Sequence, residues 1–515
     1  MRAVHLCYHE VTEDPRVLKE CLALANSGVE IVVACAQNEG TPERECIGLL
    51  DVHRFPWMQS GAITLEYIES LRQLKRSYPY IEQRFAPFLE TAATYKAAAV
   101  FSDDIAALKT RVLGSKEAVF DTRAYKKLKG WKRLIRKLRG AYVKRNLVAQ
   151  GKRPEFSKSV DELRSLGFGT PELLGEPYAR FETGVINVVA RHSDLFQAVS
   201  FLFDANLRAL GLSGPIDIVH AHDIYTLPAG VALAQRFGAK LIYDAHEFET
   251  ARASKMPPEG NAMANAIELD CLEYVDALIT VSDGLRDLYS KRFIKDDPLV
   301  VLNAPDITWE EIGATKAPQD RVSFRKELGV PSETPLLAYT GWVQKSNRGL
   351  NIVAQALTRL PHFHLVVLGP RHERDDKWLL DEAARLGVAD RIHLLPPVHH
   401  TEVVPTIRNC DVSIIPIQDA TLSYRHAMPN KLLEGALSGL PVCVSDLPDM
   451  RAFIEATGRG KTMNPTDGNS IAEAISDVYT NRSDYELTDI EHREFVEKYN
   501  WSAQADKLKD LYSTL

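Results

Sequence analysis

Cysteine is sparse and scattered. The seven residues, at 7, 21, 35, 46, 271, 410 and 443, are odd in number and none forms a CxxC pair. Neither a disulfide framework nor a thiolate zinc site is indicated. Cys7, Cys35 and Cys443 lie in apolar, strand-like runs and read as small buried hydrophobes. Long apolar runs are missing too: nothing approaches the ~20 residues needed to cross a bilayer. The opening MRAVHLCYHEVTEDPRV has no apolar segment of the secretory kind. These two absences predict a cytoplasmic protein that meets membrane only at its surface. Excess positive charge is also lacking; a formal net charge of −7 argues against a general nucleic-acid binder. No internal repeat or low-complexity tract is evident.

What is present is an ordinary globular composition, 45% hydrophobic and 25% charged, in a chain of 515 residues. That length is too great for one core and fits two domains plus an insertion. Strand-like VHLCY (4–8), a helix near 15–27 ending at Gly28, and VEIVVACA (29–36) form a strand–helix–strand unit. Such a unit implies a right-handed parallel crossover. The pattern resumes at 216–223, with a helix near 227–237, then strands at 239–247, 275–283 and 300–305. A polar connection near 306–334 leads to a second series of strands at 336–341, 364–369, 391–396, 412–417 and 441–445. Helices such as NIVAQALTRL and KWLLDEAARLG fill its gaps, and the tail from 491 onward looks helical. The fold class is therefore α/β, with two doubly wound, Rossmann-like domains. Ligands belong at the strand C-termini, in a cleft between them.

Between about 60 and 205 the alternation gives way to a basic, helical insertion. Residues 126–145 hold ten Lys or Arg and no acid. Leu128, Trp131, Leu134, Ile135, Leu138 and Tyr142 recur there at helical spacing. Two readings stay open: an amphipathic helix on an anionic membrane surface, or a solvated helix whose stripe packs onto the domain.

The most informative stretch is MPNKLLEGALSGLPVCVSD, residues 428–446. Pro429 suits the first turn of a helix. Asn430, Lys431 and Leu432 follow at the helix start, where backbone donors favour phosphate or hydroxyls. Glu434, one turn in, offers two carboxylate oxygens to a ribose diol. HAHD (220–223) and YDAHE (243–247) each follow a strand, so His222, Asp223, Asp244, His246 and Glu247 converge at one sheet edge. A metal could be held by such a group, but no HExxH or similar ligand spacing appears, and none is expected.

HAMPNKLLEGALSGLPVCVSD resembles the donor-binding motif of the retaining, metal-independent GT-B glycosyltransferases of family 4 (glycosyl transferases group 1), roughly EGFPNxLLEAMAxGxPVVxSD. It aligns without a gap from His426 to Asp446, with Glu434 as the second motif Glu and His426 in place of the first. The resemblance covers about 1–55 and 210–515. It implies a helical-insertion-bearing N-terminal acceptor-side domain over 1–305 and a C-terminal nucleotide-sugar domain over 306–490. It also implies a terminal helix, 491–515, that crosses back. LLAYTGWVQKSNRGL resembles the family's phosphate loop; Gly341 and Arg348 match, whereas Trp342 stands where an Arg is usual and Lys345 has no motif position. YDAHE implies His246 as the donor-sugar contact, making His246, Glu434 and Arg348 the catalytic set. Asp14 and Arg16 match an Asp-x-Arg on the cleft-facing loop, with a helix entry and surface Arg as the alternative. The resemblance implies no cofactor beyond a nucleotide-diphosphate sugar, UDP- or GDP-linked. The acceptor would be a glycan or lipid-linked glycan of surface polysaccharide or glycoconjugate synthesis. Two other readings remain: a non-catalytic GT-B subunit that binds nucleotide sugar or glycan, and a sugar-nucleotide epimerase.

Overall fold

A computed structural model describes residues 1–38, 40–56, 215–248, 251, 268, 271–293, 296–312 and 318–515. The whole insertion, about 60–205, with its basic stretch at 126–145, lies outside the described residues.

The first sheet has eight strands: β1 (Arg2–Cys7), β2 (Glu30–Gln37), β3 (Arg44–Ile47), β4 (Leu50–Pro56), β5 (Ile218–His222), β6 (Lys240–Ala245), β7 (Ala277–Thr280) and β8 (Leu299–Val300). Their order is β3-β4-β2-β1-β5-β6-β7-β8, parallel throughout except for the β3–β4 hairpin. β1 pairs with β2 on one side and β5 on the other. The strand order therefore reverses between β1 and β5 and opens a crevice at their C-terminal ends.

Local chemistry explains the first unit. Asp14 caps the Pro15–Asn26 helix, accepting from the backbone N–H of Arg16 and Val17, and Pro15 takes the first position. Val17, Cys21 and Leu24 then bury one face against β1 and β2, each large apolar side chain contributing about 1.5–3 kcal/mol. Gly28 ends the unit at φ +95°, a backbone region that other residues rarely enter.

The second sheet has six strands: β9 (Leu336–Thr340), β10 (His364–Leu368), β11 (Ile392–Leu395), β12 (Val412–Ile415), β13 (Val442–Ser445) and β14 (Gly460–Met463). All are parallel, in the order β11-β10-β9-β12-β13-β14. Its reversal lies between β9 and β12, so the loop after β9 and the Asn430–Leu437 helix after β12 share one crevice. The two-sheet α/β architecture expected from the sequence is the one observed.

The tail is two helices rather than one. Asp489–Tyr499 starts with a capping box of Thr488 and Glu491. It packs on the second domain, where Val496 joins Leu432 and Leu433. Asn500 leaves helical geometry and caps Trp501–Thr514, whose Trp501, Ala505, Leu508 and Tyr512 enter the core beneath β1. Among the described residues no helix is long and apolar enough to cross a membrane.

Candidate active site

Beneath the β1/β5/β6 edge lies a buried polar network. Arg16, only 2% exposed, reaches from the first helix to Asp244 at the end of β6. Its Nε and Nη2 each donate to Asp244 at 3.0 Å, and its Nη1 donates to the Val301 carbonyl at 2.9 Å. Glu20, one turn further on, lies 3.0 Å from the same guanidinium. Burial alone would raise the Asp244 pKa, but Arg16 and then His246 outweigh it and hold the carboxylate well below its usual range. Arg16 is therefore used internally, and Asp14 serves as a helix cap.

His246 follows β6 with 16% of its side chain exposed, 3.2 Å from Asp244 and 3.6 Å from Asp223. Burial disfavours its protonation, yet the two carboxylates prevail and raise its pKa to about 10. Asp223 holds φ at +60°, an uncommon conformation for which Asp is among the favoured residues. Glu247 sits at the same strand end, its backbone carbonyl accepting from Tyr289 at 3.2 Å.

Three histidines and a tyrosine extend this network inward. His222 Nδ1 faces Asp244 at 3.5 Å and Glu20 at 4.0 Å, so electrostatics places the proton of the neutral ring on Nδ1. Its Nε2 then accepts from His5 Nδ1 at 3.0 Å. His5 Nε2 in turn accepts from the Tyr512 hydroxyl at 3.0 Å, and that oxygen accepts from His220 Nδ1 at 2.9 Å. Burial, first of all, lowers the pKa of all three imidazoles and keeps them neutral. The terminal helix is thus joined to His222 by one hydrogen-bond chain, with Asp244 3.5 Å beyond its Nδ1. His5, Glu20 and Tyr512 were not singled out in the sequence; the only signal was a Glu one helical turn beyond Arg16.

Glu20, His220, His222 and Asp244 also bring ligand-type atoms within 4.8 Å of one another. Arg16 already contacts both of those carboxylates and supplies the positive charge a divalent ion would bring.

On the opposing side, Gly341 turns out of β9 at φ +101°, and Lys431 Nζ lies 3.4 Å from where a Cβ would stand. Gly349 has no room for a side chain, because a Cβ would meet the Pro416 carbonyl at 2.1 Å. Arg348 just before it is half-buried, its guanidinium 5.7 Å from the Tyr424 ring centroid. Its Nε is buried without a hydrogen-bond partner. Lys345 and Trp342 point outward, Trp342 being 41% exposed. The Asn430–Leu437 helix starts after Pro429 with no side chain capping its N–H groups, which leaves them open to an anion. Asn430 is exposed, whereas the Leu432 side chain is fully in the core and leaves only its backbone for a ligand. Glu434 accepts from Thr340 Oγ1 at 2.5 Å. Burial raises its pKa, with Thr340 and Lys431 opposing.

Direct bonds hold the two halves together. Phe248 N donates to Ser423 Oγ, which donates back to the Phe248 carbonyl, at 3.0 and 3.1 Å. Ser282 Oγ donates to the His426 carbonyl at 2.7 Å, and Gly284 N to Asp449 at 2.7 Å. His426 Nδ1 is itself 2.8 Å from Asp449. The residue that replaces the first motif Glu is therefore committed to the interdomain contact. Lys19, buried beside Asn303 and Ala304, is near enough to Glu434 for each to shift the other's pKa. Thus the strand end that carries His246 and the domain that carries Glu434 are held against each other.

Comparison with known proteins agrees with this arrangement. Residues 334–481 match the family model described as glycosyl transferases group 1, and residues 131–304 match the glycosyl transferase 4-like domain. A D-inositol 3-phosphate glycosyltransferase from Stackebrandtia nassauensis is 25% identical over 317 residues, covering 58% of this chain and 68% of that protein. A glycogen synthase from Mycobacterium tuberculosis is 25% identical over 267 residues, 51% of this chain and 60% of its own. Among solved structures, sucrose-phosphate synthase from Thermosynechococcus elongatus superposes with a TM-score of 0.56 at 14% identity, covering 100% of this chain and 99% of that one. Anabaena HepE in complex with UDP-glucose does so with a TM-score of 0.50 at 16% identity, over 61% and 82%. The two crevices, the matched donor motif and these likenesses converge: the chain belongs to the group 1, family 4-like glycosyltransferases of GT-B fold.

Proposed function

We propose that this glycosyltransferase transfers a sugar from a nucleotide-diphosphate sugar, UDP- or GDP-linked, with retention of configuration and without a metal. What supports the reading is the joining of the two halves: the Phe248–Ser423 bonds hold the strand end that carries His246 against the domain that carries Gly341, Arg348 and Glu434. The diphosphate would lie between Gly341 and the start of the Asn430–Leu437 helix, with Glu434 on the ribose. Arg348 suits the diphosphate because its planar fork meets two oxygens at once. His246, held by Asp244 and Asp223, would present its imidazole to the donor sugar. Front-face attack would then place the acceptor hydroxyl beside the departing diphosphate, whose oxygen takes the proton. The protein supplies positioning and electrostatic stabilisation of the leaving group. A glycan or lipid-linked acceptor of surface polysaccharide synthesis is the acceptor class we favour.

Calorimetric titration of UDP, GDP and ADP into wild type and Glu434→Ala tests the donor site. Tight binding of one nucleotide, lost in the variant, supports the reading. Turnover of the matching nucleotide sugar separates enzyme from binding subunit. A non-catalytic subunit is the second reading, and His426 favours it, being tied to Asp449 where the motif places a Glu.

A further inference from the structure

Lys431 is an unusual residue for a core. It is 7% exposed, and its ammonium lies 4.2 Å from the centroid of the Tyr339 ring and 3.1 Å from the Tyr339 hydroxyl. A buried ammonium normally has a carboxylate close by. Glu434, one turn along the helix, acts on Lys431 electrostatically, but its side-chain hydrogen bond goes to Thr340. The Lys431 hydrogen bond is to a neutral phenol. The ammonium also lies against Gly341, 3.4 Å from where a Cβ would stand, and Lys431 belongs to the uncapped first turn of its helix. Arg348 is near enough to depress its pKa, and brings a buried Nε with no partner. Two cations, an uncapped helix start and a side-chain-free glycine thus lie close together, and neither cation is bonded to an acid there.

We infer that Lys431 is a ligand of the leaving diphosphate and, with Arg348, forms the cation pair of the donor site. This rests on the donor reading above and adds the residue and its charge behaviour. Without ligand, burial first and Arg348 second bring the Lys431 pKa down to about 7, against a smaller opposing pull from Glu434. A diphosphate placed beside it reverses the balance, because an adjacent anion favours the charged amine. Binding above pH 7 must therefore take up a proton, and donor affinity must fall as pH rises. Trp342, outward-facing and uncharged, offers no substitute cation.

The test is calorimetry with UDP-glucose and GDP-mannose, whose diester phosphates do not titrate near neutrality, at pH 8 in buffers of different ionisation enthalpy. Wild type should take up close to one proton per sugar nucleotide bound. Lys431→Met should lose that uptake and bind about 10- to 100-fold more weakly, the loss of one charge-assisted contact. Lys431→Arg, charged at every pH, should bind with no proton uptake and a flat pH profile. It also keeps the test valid if the Met variant fails to fold. A folded Lys431→Met that binds both sugar nucleotides as tightly as wild type, with wild type taking up no proton, would overturn the inference and leave the donor reading intact. No binding of either sugar nucleotide by folded wild type would overturn both.

Discussion

Glu20 offers a test of the buried network that needs no substrate. Its side chain is fully buried, and neither carboxylate oxygen makes a hydrogen bond with good geometry. Burial first, then the Asp244 carboxylate, raises its pKa from 4.5 to about 8 against the pull of Arg16. The folded value lies above the unfolded one. Stability from this group is therefore full below pH ~4.5 and is lost as pH rises through about 8. Each pH unit between the two values corresponds to about 1.4 kcal/mol, which sets a ceiling of about 5 kcal/mol. Because the proton is shared electrostatically with Asp244 and Arg16, we expect about 1–3 kcal/mol to be assignable to Glu20. Glu20→Gln keeps the shape and removes the titration. In urea denaturation at pH 5 and pH 8.5, the variant should gain on wild type by that amount at the higher pH. An equal difference at both pH values would refute the argument, showing that Glu20 stays ionised in the fold.

Other outcomes follow from the same geometry. Tyr512→Phe leaves His5 Nε2 and His220 Nδ1 without their shared hydroxyl and should cost about 1–3 kcal/mol, seen as a lower Tm. Gly284→Ala puts a Cβ within 2.1 Å of His426 and 2.3 Å of Asp449. It should loosen the interdomain contact and lower kcat/KM about 10-fold or more with little change in Tm. His246, with a folded pKa of about 10 above its ordinary 6.5, adds stability that is full below pH ~6.5 and lost toward pH 10; thermal melts of His246→Gln should be flatter over that window. Outside that geometry, if the basic composition of 126–145 marks a membrane-binding helix, charge reversal at Lys132, Arg133, Arg136 and Lys137 should abolish sedimentation with anionic liposomes, and unchanged sedimentation would remove the membrane surface as its partner.

Legibility tracked hydrophobic periodicity. β2, β5, β6, β9 and β10 are nearly continuous apolar runs with Gly, Asp or Pro near their ends, and β1 is a similar run without them, so their positions were readable to within a residue or two. The β3–β4 hairpin was not, because RECIGLLDVHRFP mixes charge into both strands and half of β3 faces solvent. β14, GKTM, is an edge strand with one buried residue and carries no pattern. The short helices Trp309–Ile312 and Pro318–Glu327 lay in what read as a polar connection. At the site, the motifs pointed to residues but not to their partners. Arg16 and Asp244 are separated by 228 positions, and nothing local in the sequence indicates that one neutralises the other. Tyr512 was hidden for the same reason, in a helix whose amphipathic pattern explains it as core.

Tyr512 has a consequence for biosynthesis. Every other member of the buried network, from His5 to His246, is translated before the second domain begins, while the hydroxyl that completes it arrives 176 residues after β9 starts. Until then the nascent first sheet holds two imidazoles facing an unfilled position in an apolar setting, a state of incomplete hydrogen bonding. The last helix acts as a keystone. The first half of the enzyme can complete this network only on a chain whose second half has already been made.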